Sequence, residues 1–180
     1  MIRVRLALFG LAVAVIAPVF ALQNASAADP LSSEQESRIQ ANCLSIKGSL
    51  AQLHATDALL RVNRGQIYES IGTKLMDSFN SRLANNSLDN KGLVSIGGEY
   101  QKALASFRTD YQSYERQLSV VLRIDCTKDA GGFHAALLDA RTKRTQVHGD
   151  VVKLNQYIDD YRAGIDDFML NFNRVTGKSS

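Results

Sequence analysis

From Phe133 to Phe172 one line of residues recurs in alternating steps of four and three: Phe133, Leu137, Ala140, Arg144, Val147, Val151, Leu154, Ile158, Tyr161, Ile165, Phe168 and Phe172. All but Arg144 are apolar or aromatic. A repeat held this long places every member on one stripe of an α-helix and gives the pattern of a coiled-coil-like seam. The spacing predicts a helix over about 132–173, roughly 60 Å long. No proline follows Pro30, so nothing in the backbone chemistry interrupts long helices over the rest of the chain.

Two earlier segments carry the same spacing. The second predicted helix, about 89–124, has the seam Leu93, Ile96, Tyr100, Leu104, Phe107, Tyr111, Tyr114, Leu118 and Val121. Each seam tyrosine needs a hydrogen-bond partner for its hydroxyl. Gly97-Gly98 predicts fraying or a kink near the start. The first helix, about 33–84, opens on Ser33-Glu34-Gln35-Glu36, which fits a capping box. Its seam reads Ile39, Cys43, Ile46, Leu50, Leu53, Asp57, Leu60, Arg64, Ile67 and Ile71, then drifts to Leu75, Phe79 and Leu83. Gly65 and Gly72 lie near the drift and predict a bend.

Turn formers separate the segments: Asn85-Asn86-Ser87-Leu88-Asp89-Asn90-Lys91-Gly92 and Thr127-Lys128-Asp129-Ala130-Gly131-Gly132. Short turns between long amphipathic helices make neighbours antiparallel. The predicted fold is all-α, an elongated up-down-up antiparallel three-helix bundle over residues 28–175, with a disordered tail at 176–180.

Antiparallel folding fixes the pairs. Positions on the first two helices whose numbers total about 169 lie opposite, so Cys43 faces Cys126 and a disulfide is expected. The second and third helices pair at totals of about 256, and the first and third run parallel at an offset of about 87. Asp57, Arg144 and Tyr111 then fall at one level, with Tyr114 a turn away. A buried charge needs a partner, so the expectation is a buried layer in which Arg144 donates to the Asp57 carboxylate and a tyrosine hydroxyl completes the group.

The N-terminus has the layout of a secretory signal peptide: Arg3 and Arg5, an uncharged apolar run from Leu6 to Leu22, and the small residues Ala25-Ser26-Ala27. Residues 1–27 are read as removed. An uncleaved anchor is the alternative, and it would bring membrane contact. Cleavage takes away two of the 21 basic residues and none of the 18 acidic ones, leaving a charge of +1. A near-neutral domain lacks the basic stripe that nucleic acid requires.

Around the polar layer, Arg61 and Arg64 extend the spacing on the first helix, as Arg141 and His148 do on the third. Several arginines together could grip an anion through forked hydrogen bonds; the alternative is a layer that sets register only. No nucleophile elbow, phosphate-binding glycine loop, metal-ligand set or free cysteine beside a histidine occurs. No enzyme activity, cofactor or metal is expected.

The stretch Asp57-Ala58-Leu59-Leu60-Arg61-Val62-Asn63-Arg64-Gly65-Gln66, with the spaced cysteines and Val147-His148-Gly149-Asp150-Val151, resembles exported helical proteins of Saccharibacteria-type candidate-phylum bacteria. The resemblance implies a bacterial envelope setting and no activity. The expected function is an exported, non-enzymatic structural or interaction module at the cell envelope or outside it, with other envelope proteins or a second copy as partners. The alternative is a small anionic-ligand or sensory domain using the arginine layer.

Overall fold

The computed structural model describes residues 31–177, and these are all-α, without a strand among them. The expected signal segment at residues 1–27 lies outside the described residues. So does most of the expected tail, whose first residue, Thr176, is still helical.

Helix α1 (Ser33–Ala41) starts where the sequence placed it, but its cap lies one residue before the expected capping box. Ser32 is the cap: its Oγ accepts from the Gln35 amide at 3.3 Å, and Gln35 Oε1 accepts from the Ser32 amide at 2.8 Å. After Asn42 the chain continues as α2 (Cys43–Ser70), a seven-residue π-helical segment (Ile71–Asp77) and α3 (Ser78–Asn85). The expected bend is thus realised as a π turn.

That turn overturns part of the first seam. Ile67 and Leu75 are 52% and 63% exposed, whereas Tyr68 and Met76 are 5% and 2% exposed. Tyr68 already faces inward at the end of α2; the wider π turn then carries the inward face through Gly72 and Met76 before it returns to Phe79 and Leu83. Two tyrosines tie down the backbone there. Tyr100 Oη donates to the Tyr68 carbonyl at 2.8 Å, and Tyr161 Oη donates to the Met76 carbonyl at 3.1 Å.

The turn after α3 is a Schellman closure. The Leu88 amide donates to the Leu83 carbonyl and the Ser87 amide to that of Ala84, each at 2.9 Å. Ser87 takes the left-handed conformation this requires, φ 56°. Helix α4 (Lys91–Arg123) then runs through Gly97-Gly98 as one α-helix, without the expected break, and Gly97 is buried. A side chain on Gly97 would stand 3.4 Å from Asn80 Nδ2, so its smallness serves the helix contact. Asp129 caps α5 (Ala130–Thr176) through the Gly132 amide at 2.8 Å.

Contacts fix how these elements lie. Cys43 and Cys126 stand at disulfide distance, Cα to Cα 5.5 Å. Further along, Asp57 meets Tyr114, Tyr68 meets Tyr100 and Asn80 meets Leu93, so α4 returns along α2 and α3. Gln117 Nε2 donates to the Ala136 carbonyl at 3.1 Å, and at the other end Gly164 lies against Leu93, so α5 runs back along α4. Phe79 and Phe168 meet edge to face at 6.2 Å, as does the Tyr161 bond to Met76, placing α5 alongside the first segment in the same direction.

Helix α4 supplies most of the deepest side chains: Tyr100, Leu104, Leu118 and Val121 are at most 1% exposed, as are Phe133 and Leu154 of α5. It packs on α5 along its length, whereas α2 and α5 make few close backbone approaches to each other. The seam between α2 and α5, floored by α4, is where the site lies. No helix of the described residues is long and apolar enough to cross a membrane.

Candidate functional site

Steps of four and three bring one polar group together from three helices. Helix α2 contributes Asp57, Arg61, Arg64 and Tyr68, α4 contributes Phe107, Tyr111 and Tyr114, and α5 contributes Arg144, Val147, His148 and Val151. They line an open hollow of about 330 Å³. All the residues the sequence singled out for this layer line it except Arg141, which lies on the next hollow.

The bonding within the group differs from the expectation. Tyr114 Oη, not Arg144, reaches the carboxylate, donating to Asp57 Oδ2 at 2.7 Å. Arg144 lines the same hollow as Asp57 but makes no ion pair with it, and Arg144 is exposed. Among the described residues no charged side chain is fully buried, so the layer is a polar rim rather than a buried one. The physical reason is reach: an arginine stem can lie along an apolar wall while its head stays in water, which spares the desolvation a buried pair would cost.

Arg61 is held. Its guanidinium donates to Glu115 Oε2 at 3.3 Å and lies over the Tyr111 ring, 5.1 Å from the centroid. Arg64, Arg141 and Arg144 have no carboxylate within ion-pairing distance among the described residues. A tyrosine hydroxyl was expected to complete the group and Tyr114 supplies it, whereas the Tyr111 hydroxyl makes no hydrogen bond within the protein among the described residues. Burial, reinforced by the nearby Glu115 and Asp57 charges, pushes its phenol up to about 12. Burial and the bond to Asp57 raise the Tyr114 phenol further, so both stay protonated donors at neutral pH.

The aromatic wall is Tyr68, Phe107, Tyr111 and Tyr114, with Tyr68 and Phe107 edge to face at 5.7 Å. Sequence reasoning missed Tyr68, because the seam was continued from Arg64 to Ile67 rather than to Tyr68 one residue on, and took Phe107, Val147 and Val151 as plain core. Helical spacing to Arg64 was the available signal for Tyr68.

A second hollow of about 410 Å³ adjoins the first. Tyr114 and Arg144 border both. Leu50, Leu53, Leu118, Leu137 and Ala140 line the second, with Arg141 at its edge. Among the described residues no group of three or more His, Cys, Asp or Glu converges to hold a metal ion. No known protein family, curated protein or solved structure matches this chain.

Proposed function

We propose that the protein is an exported, non-enzymatic binding module, an up-down-up three-helix bundle whose α2–α5 seam holds an anionic group. One observation carries this reading: Arg64 and Arg144 face an open aromatic-walled hollow without an acidic partner among the described residues. Asp57, the carboxylate expected to neutralise Arg144, is engaged by Tyr114 instead. Arginine forks grip oxyanions well, and a hollow of this size with few convergent polar groups suits a small ligand. Export is supported by the signal-like N-terminus and by the Cys43–Cys126 pair, which suits an oxidising compartment. A bacterial envelope setting belongs to the same proposal.

The test is calorimetric titration with sulfate, phosphate and acetate. Saturable binding that disappears in Arg64→Ala/Arg144→Ala supports the reading. Absence of binding, or binding indifferent to both arginines, overturns it.

A second reading has its own observation. Leu44, Leu59, Val62 and Ile67 on α2 and Leu75 on the π segment are more than half exposed. They make the outer side of the first segment a surface for another envelope protein or a second copy. Mass measured across a concentration series by light scattering tests the second copy.

A further inference from the structure

We infer that the two hollows form one furrow that takes an amphiphilic anion, with its oxyanion head between Arg64 and Arg144 and its apolar body along the second hollow. The inference rests on the anion-binding reading and goes further by assigning the ligand class. The hollows are contiguous, since Tyr114 and Arg144 border both. They differ in chemistry. The first has three arginines and a histidine against a single carboxylate, Asp57, which is bonded to Tyr114. The second is lined mainly by Leu50, Leu53, Leu118, Leu137 and Ala140.

A bare inorganic anion would leave that apolar lining wet, and a neutral hydrocarbon would leave the arginines without a counter-charge. A molecule with one oxyanion and an apolar body answers both. Charge complementarity therefore chooses the head, and the leucine-lined volume of about 410 Å³ chooses the body. Residues of α2, α4 and α5 all line the second hollow, so the body can lie on α4 between the other two helices.

The probes are straight-chain carboxylates of two, four, six and eight carbons, with octanol as the neutral control, titrated into the full disulfide-bonded protein. Affinity is expected to rise by up to about fourfold for each methylene that is buried. Octanol is expected to bind far more weakly than octanoate. Ser49→Phe places a ring at the exposed edge of the second hollow without touching the core. It should reduce octanoate affinity to that of butanoate and leave acetate unchanged, with the helical circular dichroism intact. Arg64→Ala/Arg144→Ala should weaken every carboxylate.

Arginine-dependent binding of all four acids with equal affinity would sink the amphiphile and leave the anion-binding reading standing. Binding by none of them would sink both. A gain with chain length that Ser49→Phe does not alter would also overturn the inference, because the body would then lie elsewhere.

Discussion

Tyr114 donates its hydroxyl to the Asp57 carboxylate at 2.7 Å, across α2 and α4. The bond joins two helices at mid-length; Asp57 keeps its negative charge, and Arg61, Arg64 and Arg144 outnumber it around the hollow. Tyr114 is 4% exposed, so a phenylalanine there keeps the packing and removes only the donor. Tyr114→Phe should cost about 1–2 kcal/mol, the range for a bond to a charged group discounted for partial exposure. Urea unfolding measures it; an unchanged midpoint would show that water satisfies Asp57 equally well.

The Cys43–Cys126 bridge closes a loop of 83 residues. Constraining that loop in the unfolded chain is worth about 4 kcal/mol in the chain-entropy account. Cys43→Ser/Cys126→Ser should lower the thermal midpoint markedly, and a reductant should do the same to the wild type but not to the variant. Equal midpoints with and without reductant would remove the bridge from the stability account.

Acidity enters through Asp150. Its carboxyl is pushed up to about 6 from 3.8, first by burial and then by the neighbouring Asp110 on α4, with Lys153 opposing. Its Oδ2 is buried without a hydrogen-bond partner among the described residues. The folded state therefore holds a proton that the unfolded chain has already released. This contribution is fully present below about pH 4 and is lost as pH rises through about 6. Asp150→Asn should raise stability at pH 7 by on the order of 1 kcal/mol, after discounting for exposure, and have little effect at pH 4. Denaturant midpoints of both proteins at the two pH values decide it, and a gain at pH 4 equal to that at pH 7 would refute the assignment.

Ser87 holds the left-handed position that closes α3, with φ 56°. Glycine adopts that conformation without a Cβ penalty but has more freedom to lose on folding. The balance predicts a gain of about 0.5 kcal/mol for Ser87→Gly, read as a rise in the denaturation midpoint. A loss would mean that the serine hydroxyl contributes to the turn.

The residues disclosed the register well. Totals of about 169 and 256 brought Cys43 to Cys126 and Gln117 close to Ala136, because a heptad seam repeats long enough to count along it. The same counting brought Asp57, Tyr114 and Arg144 to one hollow. It failed at two points. Ile67, Ile71 and Leu75 imitate a continuing seam, so the change of face at the π segment was invisible to apolar spacing alone. Asp57 and Arg144 were matched by opposite charge, although a rigid tyrosine on α4 reaches the carboxylate and a long arginine stem reaches water. Spacing encodes which residues share a level; it does not encode which of them bond.

The π segment has a consequence for rotation. Each α-helical residue turns the chain by about 100°, so one additional residue offsets everything beyond it by roughly that angle. Met76 owes its inward position to that offset, and Leu75 its outward one. The first rod is thus keyed at two phases, one at its cysteine end and one at its turn end. Removing any single residue from Ile71–Asp77 would swing the turn end out of mesh with α4 and α5 as a block, while the disulfide end kept its alignment.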